Sequence, residues 1–134
     1  MPGPTAWGQT AFVYGSANQT ITTTSELVVC TLAAVNSRGP GFPVNLNGWV
    51  VVSAGTSTTA IVIRVRQDSL TGSVVGSSST DSAVPATLAT AQYGIEVQDT
   101  PTGEYAGKTY VLTVQQTSAA GNGTVVAAAL SAVF

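Results

Sequence analysis

The 134 residues contain no histidine, one cysteine, one methionine, four basic side chains and six acidic ones. Without histidine, serine–histidine and cysteine–histidine nucleophile systems and imidazole metal sites are excluded. Cys30 has no second cysteine to bridge within the chain. Its setting in "ELVVCTLAAV" reads as a buried structural thiol. Four basic residues and a net charge of −2 exclude a phosphate-neutralising surface, so nucleic acid is not an expected partner. The acids are Glu26, Asp68, Asp81, Glu96, Asp99 and Glu104. Glycosidase chemistry needs two carboxylates facing each other roughly 5–9.5 Å apart. Glu96 reads as an outward strand residue, and Asp68, Asp99 and Glu104 fall in turn-rich segments, so no enzyme activity is expected. "QDTPTGE" offers too few carboxylates for a typical calcium loop and reads as a proline-initiated turn. No cofactor or metal is called for.

Long hydrophobic runs are also missing. The closing "GNGTVVAAALSAVF" is the most apolar stretch, and it falls short of the roughly 20 residues of a membrane-spanning helix. Membrane is therefore not an expected partner. "MPGPTAWGQT" has neither the basic segment nor the apolar segment of a secretory leader. Asn18-Gln19-Thr20 and Asn122-Gly123-Thr124 match a glycosylation pattern and are read as turns. Charged residues make up 7% of the chain and hydrophobic ones 44%, against a usual charged share of about 25%. A surface that poor in charge is either covered by partners or wetted by Thr, Ser, Asn and Gln.

What is present is strand signal. "TAIVIRVRQ" alternates, with Ile61, Ile63 and Val65 on one face and Val62, Arg64 and Arg66 on the other. "QYGIEVQ" sets Tyr93, Ile95 and Val97 inward and Glu96 and Gln98 outward. "KTYVLTVQQ" sets Tyr110, Leu112 and Val114 against Val111, Thr113 and Gln115. "GWVVVSA" and "SELVVCTLAAV" are continuous apolar runs suited to central strands, and they place Trp49 in the core. The end of the chain mixes helix-favouring Ala127, Ala128 and Ala129 with Val125, Val126 and Val133. Asn122-Gly123 ahead of it reads as a hairpin turn, and the run as a strand buried on both faces. Turn-rich segments, among them "NSRGPGFPVNLNG", "DSLTGS" and "SAAGNG", separate the runs. "SAVPATLATAQ" comes nearest to a helical turn, and Pro85 keeps it short. About eight strands at this spacing point to an all-β sandwich or barrel.

Three stretches resemble the jelly roll of the tumour-necrosis-factor/C1q-like family, as found in phage and bacterial surface proteins. They are Gly48 to Ala54 after Pro43, "AIVIRVRQDSLTGSVVG", and "AGKTYVLTVQQTSAAGNGTVVAAALSAVF". The resemblance implies a two-sheet antiparallel jelly-roll sandwich forming a tight homotrimer, with the last strand in the inner sheet near the threefold axis. Neighbouring subunits would then cover the second face of that strand, in keeping with the charge depletion of interface cores.

The expectation is thus one β-sandwich domain, residues 12–134, behind an N-terminal arm, residues 1–11. Val126, Ala128, Leu130, Ala132 and Phe134 are expected at the trimer interface, or else the alternate set Val125, Ala127, Ala129 and Val133. Trp7 and Phe42, each among Gly and Pro, are candidate anchors onto a larger assembly. Arg64 and Arg66 read either as a solvated face or as contacts, through an intersubunit salt bridge to Glu96 or Asp68 or to an acidic partner surface. The functional expectation is a non-enzymatic virion protein. Its most concrete form is a trimeric phage decoration or cementing protein bound to the major capsid protein or another virion protein on the capsid surface. The alternative is a fibre-tip or C1q-like module that recognises glycan or receptor through Tyr105, Phe42 or Tyr93.

Overall fold

The structure is a computed structural model that describes residues 10–21, 24–38, 42–53, 60–78, 90–100, 104–116 and 123–134. Nine strands are found among them: β1 (Thr10–Tyr14), β2 (Gln19–Thr20), β3 (Leu27–Arg38), β4 (Val44–Ser53), β5 (Ile61–Gln67), β6 (Val74–Ser77), β7 (Ala91–Asp99), β8 (Glu104–Gln116) and β9 (Thr124–Val133). β1 and β2 both pair with β9 and act as one interrupted strand, which gives the eight expected.

All pairings are antiparallel and nested: β1/β2 with β9, β3 with β8, β4 with β7, and β5 with β6. Two further pairings, β4 with β9 and β5 with β8, join these into sheets ordered β1-β9-β4-β7 and β3-β8-β5-β6. This is a jelly roll, a double-sheet architecture of eight strands. Its consequence for the chain's end is direct. β8 and β9 lie in opposite sheets, so these two strands do not form a hairpin. Asn122 itself lies outside the described residues. A hairpin does form at the turn-rich "DSLTGS", with Asp68 at φ +68° and Gly72 N–H donating to the Ser69 carbonyl.

Period-2 patterning decides what each strand buries. Ile61, Ile63 and Val65 of β5 meet Tyr110, Leu112 and Val114 of β8 within the core, all essentially inaccessible. Tyr93 and Ile95 of β7 are buried opposite them, and Val97 packs against the same core. In β3, register shifts between Val28 and Cys30 and between Leu32 and Val35 break the alternation. Consecutive Val29 and Cys30 therefore both reach the core. Burial pushes the Cys30 thiol up to about 11, which keeps it protonated and unreactive.

β4 begins four residues earlier than expected. Val44-Asn45-Leu46-Asn47, read from sequence as turn, alternates buried and exposed as strand. That phase puts Gly48 inward, where an added Cβ would sit 3.0 Å from Leu112 Cδ1 of the facing sheet. It turns Trp49 onto the outer face, half-buried, where the sequence had suggested core. The missing side chain at Gly48 lets the sheets close; the indole is too large for that layer. Residues 10 and 11 of the expected arm belong to β1, with Thr10 opposite Val133 and Ala11 opposite Ala132. Residues 1–9, including Trp7, lie outside the described residues, as do residues 79–89 with Pro85.

Candidate functional site

The expected interface residues on β9 divide sharply. Ala128, Leu130 and Ala132 are at most 1% exposed and face Leu46, Val50 and the rest of the chain's own core. They have no surface left for another subunit, which corrects their placement at a trimer contact. Val126 sits at a register shift opposite Val51 and Val52 and is half-buried. Phe134 packs partly against the core. In the alternate set, the bulge turns Val125 into the core, while Ala127, Ala129 and Val133 fall on the outer face. A run in which Ser131 is the single polar side chain between Val125 and Val133 hides this parity, because either face reads nearly equally well.

Cross-strand register makes that outer face legible in rows along the order β1, β9, β4, β7. The first is Thr10, Val133, Asn45, Gln98; the second is Phe12, Ser131, Asn47, Glu96; the third is Tyr14, Ala129, Trp49, Gly94. A fourth carries Ala127, Val51 and Gln92. Two parts with different chemistry result. One is aromatic and aliphatic: Phe12 and Tyr14 are 54% and 71% exposed, their rings edge-to-face with centroids 4.7 Å apart. Ala129 is 1% exposed although it points outward. It lies between Tyr14 and Trp49 in register, so a methyl group is screened by two large neighbours. At Ala129, therefore, the second face of the closing strand is covered by this chain's own aromatics.

The other part is polar and concave. A hollow of about 540 Å³ is lined by Asn45, Asn47, Glu96, Gln98, Ser131 and Val133, with Leu46 and Val97 beneath. Asn47 Nδ2 donates to Glu96 Oε1 at 3.1 Å, and Gln98 Nε2 donates to Asn45 Oδ1 at 2.9 Å. Ser131 Oγ donates to the Asn47 carbonyl at 3.4 Å. Two cross-strand pairs thus hold four hydrogen-bonding side chains in two adjacent rows. The sequence pattern that would have found this site is the alternation Val44-Asn45-Leu46-Asn47 facing Glu96-Val97-Gln98; grouping the first with its turn-rich surroundings hid it.

Arg64 and Arg66 are on the outer face of the other sheet. Their partner is Glu26, just before β3, and neither Glu96 nor Asp68. Arg66 Nε donates to Glu26 Oε2 at 2.7 Å and Arg66 Nη2 to Oε1 at 2.9 Å, a two-pronged pair; Nη1 donates to the Gly72 carbonyl at 2.9 Å. Arg64 Nη1 donates to Gln115 Oε1 at 2.7 Å and reaches Glu26 Oε1 at 3.4 Å. Buried Thr113 also donates its hydroxyl to Glu26. The hydrogen bonds from Arg66, against an opposing burial effect and with further help from Thr113 and the arginine charges, hold the Glu26 carboxyl below the usual carboxylate range. The same contact raises the Arg66 guanidinium. The sequence kept these partners apart by 38 and 40 positions, and only strand pairing brings them together. The arrangement is an internal clamp, so both arginines are occupied within the chain.

The other expected positions are more scattered. Phe42 is 43% exposed. Tyr93 is buried in the core and unavailable to a ligand. The Tyr105 side chain lies outside the described residues. Asp99, expected in a solvated turn, is the last residue of β7 and nearly buried. Its carboxylate accepts from Tyr110 Oη at 2.6 Å and from Gln67 Nε2 at 3.1 Å. Lys108 pairs with Asp68 at 3.5 Å. Among the described residues, no cluster of His, Cys, Asp and Glu has the size needed to hold a metal.

A sandwich with this nested topology belongs to the jelly-roll class, common to viral shells and to lectins. Neither a protein-family model nor a curated protein matches the sequence, so the likeness to the tumour-necrosis-factor/C1q group extends to the jelly-roll architecture alone. Solved structures do match. Against a structure of infectious bursal disease virus, Gt strain, the TM-score is 0.68 at 6% identity, covering 94% of this chain and 33% of that one. Against the VP2 subviral particle of the same virus it is 0.67 at 8% identity, covering 94% and 32%. Against its T13 viral particle it is 0.64 at 6% identity, covering 93% and 31%. The chain spans about a third of the length of these viral proteins. Almost all of it shares their fold.

Proposed function

We propose that the protein is a non-enzymatic structural component of a virion, a jelly-roll homotrimer that decorates or cements a phage capsid. The observation that carries this reading is the match of 94% of the chain to a particle-forming viral protein fold at a TM-score of 0.68. The carboxylates of Glu26 and Asp99 are engaged in structural bonds. The subunit contact is assigned to the aromatic part of the outer face: Phe12, Tyr14, Trp49, Val51 and Ala127. Exposed aromatics beside small residues supply anchor area and close approach. This replaces the core-facing alanines with their outward neighbour Ala127 on the same strand.

Attachment to the shell is assigned to residues 1–9 with Trp7 and to the segment bearing Phe42. A weak single contact becomes effectively permanent when three copies act together on one particle. Light scattering at micromolar concentration should report three chains per particle, and the double variant Phe12→Ser, Tyr14→Ser should report one. Deletion of residues 1–9 should leave the trimer intact and abolish its binding to particles. A folded monomer for the unaltered chain would overturn the trimer, and undiminished binding after deletion would overturn the arm.

A further inference from the structure

We infer that the polar hollow on the outer face of the β9-β4-β7 sheet is a binding site for a neutral saccharide. This goes beyond the structural role and does not depend on it.

Three observations carry it. The hollow's volume, about 540 Å³, falls in the range of small-ligand sites, roughly 300–1,000 Å³. Its rim presents amide, carboxylate and hydroxyl groups in two adjacent rows, already oriented by the Asn47–Glu96 and Gln98–Asn45 bonds. An amide has two N–H donors and a carbonyl acceptor, and a carboxylate has about four acceptor positions. Each of those bonds uses one donor and one acceptor position, so the two rows keep capacity for both halves of a sugar hydroxyl pair. Val133, 43% exposed, gives the hollow an apolar patch on which the C–H face of a pyranose ring can rest.

Charge then selects among ligands. All four basic residues, Arg38, Arg64, Arg66 and Lys108, lie on β3, β5 and β8 of the other sheet. Among the described residues the hollow has Glu96 and no cation, so it disfavours phosphate, sulfate and sialylated sugars. A second copy of the chain is disfavoured as occupant for a related reason: closing the face over Glu96 would desolvate a carboxylate without a cation, whereas interface cores are depleted of charge.

The test uses the intact protein labelled with nitrogen-15 and titrated with cellotetraose, maltotriose, tri-N-acetylchitotriose and, as the anionic control, sialyllactose. At least one neutral probe is expected to shift the side-chain amide signals of Asn45, Asn47 and Gln98, and sialyllactose is not. Asn47→Ala and Glu96→Ala, both at exposed strand positions, should each weaken that binding at least tenfold with the thermal midpoint kept. Phe12→Ser should leave it within about twofold, which separates this site from the subunit contact. No shift of those amides up to 20 mM of any neutral probe would overturn the assignment. So would equal binding by the Glu96→Ala variant, or self-association that the Asn47 and Glu96 variants abolish.

Discussion

Replacing Glu26 with Gln removes one charge from the middle of the sheet's outer clamp and leaves Arg64 and Arg66 side by side. Glu26 takes both prongs of Arg66 at 2.7 and 2.9 Å, the Thr113 hydroxyl, and a longer contact from Arg64 at 3.4 Å. The side chains are 14% exposed for Glu26, 19% for Arg66 and 23% for Arg64, too buried to be treated as a surface pair. Exposed pairs contribute about 0–1 kcal/mol, and breaking a fully buried one costs about 3–5 kcal/mol. This clamp falls between, so Glu26→Gln should cost about 2–3 kcal/mol. For a domain of this size that lowers the thermal midpoint by about 7–10 °C. Urea unfolding at fixed protein concentration measures it, with an unchanged slope expected. Asp68→Asn is the control: Asp68 is 67% exposed toward Lys108, and Asn tolerates its φ of +68°. The control should stay within about 0.5 kcal/mol. The pH dependence has a definite sign. Because the Glu26 carboxyl is held below its ordinary value of 4.5, its contribution is complete above that value and is lost as pH falls through the lower folded-state value. The Glu26→Gln variant should therefore lose less stability than the parent between pH 5 and more acidic conditions. A loss under about 0.5 kcal/mol at pH 7, or the same acid slope in both proteins, would refute the clamp.

Further outcomes follow from packing. Ala128→Asp should prevent folding, since it places an unpaired carboxylate in a site 1% exposed at a cost of several kcal/mol; soluble yield and circular dichroism report it. Gly15→Ala should be far worse than Gly94→Ala. A Cβ at Gly15 would meet the Val29 carbonyl oxygen at 2.1 Å, whereas at Gly94 the nearest atom is 3.8 Å away. The first change should lower the urea midpoint clearly, and the second should leave it level or raised. Tyr110→Phe takes one hydrogen bond from nearly buried Asp99 and leaves it Gln67. Chemical unfolding should show a loss of about 1–3 kcal/mol.

The sequence by itself determined the all-β class and which residues of β5, β7 and β8 face inward, because alternation is local and each of those strands mixes polar with apolar side chains. It also excluded histidine chemistry, since composition needs no fold. Where a strand lacks polar markers, that logic fails. In Val125 to Val133 both parities are apolar save for Ser131, a weak marker, and only pairing with β1 and β4 places Ala128, Leu130 and Ala132 in the core and Ala127, Ala129 and Val133 outside. In β4 the marker was present at Val44 to Asn47 but sat among Gly and Pro, so its strand character and the hollow it helps to form stayed hidden. Trp49 was misplaced because size and apolarity suggested core, while Gly48 next to it took the inward position under Leu112. Glu26 and its arginines show the remaining limit. They are 38 and 40 residues apart, and only rolling the nested hairpins into two sheets brings their charges within hydrogen-bond reach.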